Sequence, residues 1–369
     1  MRKKNFFLLL AVLLISAFLL SGCGSGNVQK QQNASEKITV TDMVGRKVSV
    51  TLSVERVVAI GPGALRLYCY VNGASKVAGV EQLEKDNPIG RPYILANPSL
   101  ADLPVIGPGG PNNAPDPEKI LTVKPDVIFS MYTSDKASVD ALQEKTGIPV
   151  VALSYGKVST FDPDVYASLK LIGKIMGQDE RAEELVAYME KCRQDLNGRT
   201  KDIPENEKPS VYIGALGARG MHGIESTQGK YSLFEAIHAR NVVDETGKTG
   251  SIMIDKEKLI QWDPDIIFID RGGYAMVQQD YQKNPEFYRA LSAVKKGKLY
   301  AQLPYNYYHT NIDTAMADAY YLGKVIYPEQ FKDVATEEKA DEIYQTLLGK
   351  PLYAQMAKDF GGFGKLTLP

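Results

Sequence analysis

The chain has 369 residues, with 43 Lys or Arg and 44 Asp or Glu, and its formal net charge is −1. Without the first 22 residues the balance is 40 basic against 44 acidic side chains, or −4, which does not favour nucleic acid as a partner. With 44% hydrophobic and 24% charged residues, the composition excludes a disordered chain and a membrane protein with many spans. Three Cys cannot build a disulfide scaffold. About 350 residues is long for one hydrophobic core, so we expect two domains.

The first 22 residues have the pattern of an export signal. Basic residues at 2–4 precede an apolar run at 6–20, which is shorter than the roughly 20 residues that a membrane span needs. The run ends in LSGC at 20–23, which resembles the bacterial lipobox, whose Cys is diacylated and becomes the mature N-terminus. We expect a lipoprotein signal peptide with lipidation at Cys23, followed by a flexible Gly- and Ser-containing tether to residue 36. The alternative is an ordinary signal peptide that contains a Cys.

The rest of the chain alternates short apolar runs with helical patterns, which predicts parallel strands joined by crossover helices. The first set of predicted strands lies at 57–60, 77–80, 127–129 and 150–153, with a helix from about Ala64. After residue 205 the pattern restarts, with predicted strands at 211–214, 266–269 and 298–301. This restart predicts a second lobe.

Two segments of the chain share one sequence pattern. EKILTVKPDVIF at 118–129 is matched by EKLIQWDPDIIF at 257–268. Each predicts a short helix, a Pro-Asp turn and a buried strand, because Pro cannot continue a helix and restricts the residue before it. The repeat therefore predicts two lobes of the same plan.

A helical region separates the two lobes. Apolar residues recur at steps of 4, 3 and 4 at 165–176 and again at 185–196, with Gly177 between the two patterns. The second helix should begin at Asp179, a good N-cap, and some 20 residues would make a rod of about 30 Å. Cys69 and Cys192 fall in apolar helical patterns, so we expect two buried free thiols. The predicted domains are an N-terminal lobe at 37–160, a helical region at 161–203 and a C-terminal lobe at 204–369.

The lipobox, the two lobes, the long linking helix and the paired segments together resemble the helical-backbone (class III) substrate-binding proteins of ABC transporters. These proteins carry ferric siderophores, haem or cobalamin. Residues 38–48 resemble the opening hairpin of the family, and residues 311–327 resemble its penultimate helical region. Within the family, GPGAL at 61–65, GRPY at 90–93 and GPGGP at 107–111 most resemble the iron-complex receptors.

The resemblance covers about residues 38–350. It implies an α/β fold of two Rossmann-like lobes with central, mostly parallel sheets, joined by one long α-helix. It also implies a monomer without an intrinsic cofactor that delivers a small-molecule metal complex to an ABC permease and its ATPase. We therefore expect a protein outside the cytoplasm, held by lipid on the outer face of a bacterial cell membrane or in the periplasm.

Ligands of parallel α/β lobes lie at the carboxyl ends of the strands, so the loops after the predicted strands should line a cleft. Arg matches anionic oxygens bidentately, Tyr offers a flat face and a hydroxyl, and phenolate or imidazole can ligate iron. The candidate ligand-binding residues are Arg91, Tyr93, Tyr132, Tyr155, Arg219, His222, Arg271, Tyr274, Tyr305, Tyr307 and His309. His222, His309 and Tyr305 are also candidate iron ligands. Each of these side chains has an alternative in which it only braces its loop.

Two further expectations concern Tyr and His residues near this cleft. Tyr307 and Tyr308 are neighbours, so we expect only one of them to face the cleft. His238 lies in a helical pattern and is predicted to be structural.

The resemblance also implies how the protein meets the permease. In the family, a surface glutamate on each lobe pairs with arginines of the permease, and Glu118 and Glu257 match these positions through the repeat. A two-lobed protein that meets a two-fold partner should offer equivalent acids on each lobe. The alternative is that both are solvated carboxylates at helix starts.

Other functions compete with an iron-complex receptor. A corrinoid is the first rival ligand, whereas a bare divalent metal is disfavoured because the chain has only three His. An extracytoplasmic α/β enzyme is disfavoured because the chain lacks a nucleophile elbow, an HExxH motif and a Walker loop, so we predict that it is not an enzyme. A sensory subunit that binds ligand without transport remains an alternative.

Overall fold

The computed structural model describes residues 36–86, 88–110, 113–132, 135–218 and 220–368. The predicted signal peptide, Cys23, the tether to residue 35 and Arg219 lie outside the described residues. Residues Lys37–Pro369 form one compact unit. In the described part of the chain, no helix is long and apolar enough to cross a membrane.

The first lobe comprises an antiparallel hairpin and a parallel sheet. Its strands are β1 (Lys37–Thr41), β2 (Lys47–Thr51), β3 (Val57–Ile60), β4 (Val127–Ser130) and β5 (Val150–Ala152). Its helices are α1 (Ala64–Asn72), α2 (Gln82–Asp86), α3 (Pro92–Ala96), α4 (Pro117–Thr122) and α5 (Lys136–Thr146), with a 3₁₀ helix at Pro98–Asp102. β1 and β2 form the opening hairpin that the resemblance implied, and β3, β4 and β5 form a parallel sheet in that order. Every residue of this sheet is buried, which explains its unbroken apolar runs.

The prediction of a strand at 77–80 is wrong, because this segment forms no regular strand. Val77 bridges Val57 of β3, whereas Val80 bridges Val105 on another segment, and both bridges are isolated. Gly79 lies so close to its neighbours that an added Cβ would be 2.4 Å from the Ile106 side chain. The segment changes partner within four residues, so no ladder develops.

Two helices follow the first lobe, α6 (Pro163–Met176) and α7 (Asp179–Thr200). Gly177 ends α6 with a φ of 66°, in the left-handed conformation that favours glycine at this position. The helix α7 starts one position differently from the prediction: Gln178 is its N-cap, and Asp179 is its first helical residue. The 22 residues of α7 correspond to about 33 Å. The predicted apolar face at 185–196 is buried, and it includes the free thiol of Cys192.

The second lobe contains a larger sheet. Its elements are β6 (Ser210–Gly214), β7 (Ser226–Gly229), α8 (Ser232–Ala236), β8 (Arg240–Asn241), β9 (Gly250–Met253), α9 (Lys256–Trp262), β10 (Ile266–Asp270), α10 (Tyr274–Lys283), α11 (Pro285–Ala290), α12 (Ser292–Lys295), β11 (Leu299–Gln302), α13 (Ile312–Ile326), α14 (Thr336–Leu348), α15 (Tyr353–Phe360) and β12 (Gly364–Lys365), with 3₁₀ helices at Glu205–Glu207, Val242–Thr246 and Arg271–Gly273. The sheet order is β12-β11-β10-β6-β8, parallel except for β12. β7 and β9 form a separate antiparallel pair.

The long helix α7 packs against both lobes. It contacts α1 of the first lobe and α8 and α13 of the second. One buried cluster contains Phe129 of β4, Met189 of α7 and Phe268 of β10, so the hydrophobic core is continuous across the molecule. The predicted fold class, two α/β lobes joined by one long helix, is confirmed. The predicted domain boundaries at 160/161 and 203/204 stay a prediction.

The sequence repeat has the same structural role in each lobe. In the first lobe, Asp126 Oδ2 accepts hydrogen bonds from the backbone N–H groups of Glu55 and Arg56, at 2.8 Å each, just before β3. In the second, Asp265 Oδ2 accepts from the backbone N–H of Ser210, at 2.9 Å, where β6 begins. Each Pro-Asp turn therefore ties the start of its own strand to the start of the neighbouring parallel strand.

Candidate ligand-binding cavity

A cavity of about 810 Å³ opens between the lobes at the carboxyl ends of the parallel strands. Pro62 lies just after β3, Asp270 ends β10, and Pro304 lies just after β11. The sequence analysis predicted the ligand site at this edge of the sheets. The cavity is lined by Pro62, Leu83 and Arg91 of the first lobe and by Gly217, Gly220, Met221, Asp270, Gly272, Pro304, Asn306, Tyr307, Tyr308, His309 and Thr310 of the second.

Arg91 provides a buried cation at the first-lobe wall. Only 6% of its surface is exposed, its Nη1 group donates to the Leu83 carbonyl, and it forms an ion pair with Glu84 at 3.5 Å. Its Nε atom is buried without a hydrogen-bond partner among the described residues. A buried donor without an acceptor costs about 1–3 kcal/mol, so the protein partners of this guanidinium do not fully satisfy it.

The second-lobe wall is formed by the loop at 304–310. Both Tyr307 and Tyr308 line the cavity, so the expectation that only one would face it is wrong. Tyr308 has a φ of 51° and His309 a φ of 79°, and this left-handed backbone breaks the alternation of side chains that an extended segment would have. The Tyr308 hydroxyl donates to Glu81 and accepts from the backbone N–H of Gly110, both at 3.0 Å.

His309 presents a neutral imidazole to the cavity. Its ring packs on the Tyr155 ring with centroids 4.1 Å apart, and its Nδ1 atom accepts from the backbone N–H of Thr310 at 2.9 Å. Burial and, to a lesser extent, the nearby guanidinium of Arg66 lower the pKa of His309 to about 4. At neutral pH the ring is therefore uncharged, which is the form that ligates metals.

Asp270 was missed in the sequence, although it directly precedes the candidate Arg271 at the end of a predicted strand. The rule that ligands meet strand ends would have included it. Asp270 lines the cavity, and burial raises the pKa of its carboxyl group to about 7. Tyr307 lies within electrostatic reach of both Asp270 and Arg91: burial and then Asp270 raise the pKa of Tyr307 to about 12, while Arg91 opposes the shift. The first lobe thus offers a cation to the cavity, and the second lobe offers a carboxyl group whose charge changes near pH 7.

Three predicted residues of the first lobe lie behind the cavity wall. Tyr93 is fully buried, its hydroxyl donates to Glu84, and the guanidinium of Arg66 lies 4.6 Å from its ring centroid. Tyr155 is buried beneath His309, and Tyr132 donates its hydroxyl to Glu81. None of the three is among the lining residues.

Four predicted residues of the second lobe have structural partners instead of lining the cavity. Arg271 donates to the carbonyls of Gly361 and Gly362, at 3.0 and 3.2 Å, and so holds the C-terminal segment. The Tyr274 hydroxyl donates to the Thr367 carbonyl, and His222 forms a hydrogen bond with the Ala218 carbonyl. The Tyr305 ring packs near the Tyr231 ring. His238, predicted to be structural, contacts the Asn197 side chain of α7 at 2.9 Å.

The two candidate docking glutamates occupy equivalent places. Glu118 lies in the first turn of α4, and Glu257 lies in the first turn of α9. Both are exposed, and neither forms an ion pair with another described residue.

In the part of the chain that the structure describes, no group of three or more His, Cys, Asp or Glu side chains is placed to hold a metal ion.

Three bacterial proteins are similar to nearly the whole chain. An uncharacterized ABC transporter substrate-binding lipoprotein, YvrC of Bacillus subtilis, is 23% identical over 328 residues, covering 88% of this chain and 98% of YvrC. The molybdate-binding protein MolA of Haemophilus influenzae is 24% identical, covering 83% of this chain and 89% of MolA. The Fe(3+)-citrate-binding protein YfmC of B. subtilis is 23% identical, covering 79% of this chain and 87% of YfmC.

Solved structures share the fold. A periplasmic solute binding protein from Veillonella parvula has a TM-score of 0.71 at 20% identity, covering 88% of this chain and 97% of its own. MolA bound to molybdate has a TM-score of 0.67 at 21% identity, covering 85% of this chain and 98% of its own. The model of the periplasmic binding protein family matches residues 76–304. Because this match spans more than half of the sequence, the chain belongs to the periplasmic binding protein family of ABC transporter substrate-binding proteins and is not an enzyme.

Proposed function

We propose that this protein is a lipid-anchored receptor outside the cytoplasm that binds an anionic iron complex, a ferric siderophore or haem, for an ABC importer. The observation that carries the proposal is Arg91, a buried guanidinium in the cavity wall whose Nε donor has no partner among the described residues. An anionic oxygen of a chelate or a haem propionate would pair with this guanidinium in a charge-assisted hydrogen bond.

The size and lining of the cavity support a chelate. Its volume of about 810 Å³ falls in the range of roughly 300–1,000 Å³ that is usual for drug-sized ligands. Tyr307 and Tyr308 offer flat faces, and the neutral imidazole of His309 is a candidate iron ligand. The similarity to a protein named for Fe(3+)-citrate also favours iron. The similarity to MolA makes molybdate the second candidate, and molybdate would use the same Arg91 but fill little of the cavity.

The ligand can be identified on protein purified from its own host. Native mass spectrometry and visible absorbance distinguish haem, ferric siderophores and corrinoids. Calorimetric titration with hemin, ferric citrate, molybdate and cyanocobalamin then ranks the classes. We expect an iron complex to bind most tightly, and a bound corrinoid or a preference for molybdate would contradict the proposal.

Two arginines make a matched pair for testing the role of Arg91. Arg91→Met should weaken the binding of the iron complex about 10- to 100-fold, since a hydrogen bond to a charged group contributes about 1.5–3 kcal/mol. Arg271→Met removes the same charge from a side chain that holds Gly361 and Gly362, so its affinity should stay that of the unmodified protein. Equal losses in the two variants would remove the support for Arg91 as the ligand contact.

The proposed anchor is Cys23, which the similarity to a protein named as a lipoprotein supports. Cys23→Ala should release the protein from the membrane fraction into the soluble fraction, as measured by immunoblotting. Full retention of the variant on the membrane would exclude lipidation at Cys23 as the anchor.

The proposed contacts with the permease are Glu118 and Glu257. The repeat gives them the same position on each lobe, and both side chains are exposed. Exposed charges at equivalent positions suit a two-fold symmetric partner because they set its register and speed its association.

A further inference from the structure

Arg66 is a buried cation that spans from one lobe to the other. It lies on α1 of the first lobe with none of its surface exposed. In the second lobe, its Nη2 group donates to the Tyr307 carbonyl at 2.6 Å, its Nη1 group to the Tyr308 carbonyl at 3.4 Å, and its Nε group to Asn311 Oδ1 at 2.7 Å. Its Nη1 group also donates to the Tyr155 hydroxyl at 3.1 Å.

The partners of this guanidinium are all neutral. Arg66 forms no ion pair within the described residues, and the ring of Tyr93 covers it at 4.6 Å. The acids within electrostatic reach, Glu84 and Asp313, have pKa values that burial raises and that Arg66 only partly lowers. A buried charge must keep its hydrogen-bond acceptors. The loop that supplies them therefore cannot leave Arg66 without stranding the charge.

That loop has a backbone that needs external support. Tyr308 and His309 both have left-handed φ values, of 51° and 79°. Side chains other than glycine persist in such conformations only where the surroundings fix them. The carbonyls of Tyr307 and Tyr308, on the strained stretch itself, are the groups that Arg66 holds.

We propose that Arg66 is a positioning residue for ligand binding: by holding the carbonyls of Tyr307 and Tyr308, it fixes the cavity loop in the conformation that presents Tyr307, Tyr308 and His309 to the ligand. It acts from the opposite lobe and does not itself line the cavity. The inference rests on the proposed function only in taking this cavity as the ligand site.

Hydrogen exchange measured by mass spectrometry on the full chain without ligand tests this role directly. Arg66→Met should speed the exchange of backbone amides at 303–312 about tenfold or more, because the loop loses its tether. The matched control is Arg46→Met, since Arg46 is also buried but pairs with Asp42 at 3.1 Å and the Val150 carbonyl at 3.0 Å. It should lower the melting temperature without changing the exchange of the loop.

Arg66→Lys keeps the proposal testable if the Met variant does not fold. Lysine retains the charge but cannot reproduce the planar fork of donors, so we expect faster loop exchange and at least tenfold weaker hemin binding. The proposal is overturned if Arg66→Lys leaves loop exchange at the level of the unmodified protein, or if Arg46→Met accelerates it equally. If the unmodified protein binds neither hemin nor ferric citrate and carries no iron complex when purified from its host, the proposed function fails, while the exchange result still decides the role of Arg66.

Discussion

Asp270 shows how burial sets the charge of a single cavity residue. Only 3% of its surface is exposed, and its Oδ1 atom accepts from the backbone N–H of Gly272 at 2.8 Å. Burial raises its pKa to about 7 from an ordinary value of 3.8, while hydrogen bonds from Gly272 and Gln302 oppose the shift. Asp318 lies close behind, and burial and the charge of Asp270 raise its pKa too.

The raised pKa of Asp270 predicts a direction for stability against pH. Between about pH 4 and pH 7 the folded state holds a proton that the unfolded state releases, so the stabilisation is complete below about pH 4 and is lost as pH rises through 7. Asp270→Asn keeps an acceptor for Gly272 but cannot ionise. The melting temperature of the variant relative to the unmodified protein should therefore rise from pH 4 to pH 8. The corresponding gain in its relative free energy of unfolding is at most about 4 kcal/mol.

Asp333→Asn provides a control of opposite sign. A hydrogen bond from Arg199 lowers the pKa of this exposed carboxyl group to about 2, so its stabilisation is present above about pH 4 and is lost as pH falls toward 2. The control should lower the melting temperature at neutral pH. A difference between Asp270→Asn and the unmodified protein that does not change between pH 4 and pH 8 would contradict the assigned ionisation of Asp270.

At the scale of elements, the two Pro-Asp turns make the same connection in each lobe. Asp126→Ala and Asp265→Ala each remove the acceptor for the backbone at the start of β3 or β6. Each carboxylate accepts two partly solvated hydrogen bonds at the start of a strand, so we expect similar losses of about 1 kcal/mol in the free energy of unfolding, measured in urea. Asp→Asn at each position retains an oxygen acceptor and should recover most of the loss. If only one of the two Ala variants lost stability, the two Pro-Asp turns would not have the same structural role.

Local sequence signals predicted the elements of the fold better than their partners. The repeat, the end of α6 at Gly177 and the buried face of α7 depend on residues close together in the chain, so the pattern was sufficient. The segment at 77–80 has strand-like residues, but its two neighbours are set by distant parts of the chain. Its irregular pairing therefore could not be predicted from local composition.

The same limit applies to the candidate site. Tyr307 and His309 line the cavity in the loop that follows β11, as the rule of strand ends predicts, whereas Arg91 lines it from the N-cap of α3. Tyr93 is only two residues from Arg91, yet α3 turns its ring into the core, toward a glutamate of another helix. Arg66 was missed because an arginine within an apolar helical run gives no sign of the loop it will hold across the cleft.

At the scale of the whole molecule, the two lobes carry matching acidic positions. Glu118 and Glu257 lie in the first turns of α4 and α9, the helices of the repeat. In the proposed docking, a two-fold symmetric permease would contact both glutamates in the same way. Their exposure means that they contribute little to folding, since isolated surface charges are worth little. A change at these positions should therefore affect transport and not stability.

The double variant Glu118→Arg and Glu257→Arg tests this docking in a cell that depends on the importer for iron. If Glu118 and Glu257 dock against permease arginines as proposed, two like charges there should abolish uptake of the radiolabelled iron complex, because like-charge contacts across an interface cost several kcal/mol. The affinity of the purified variant for the same complex should not change, since neither residue lines the cavity. Glu144→Arg with Glu329→Arg is the matched control, because both are exposed acids outside the repeat and the charge change is identical. Docking through the repeat requires the control to transport normally, and equal uptake by the two double variants would exclude it.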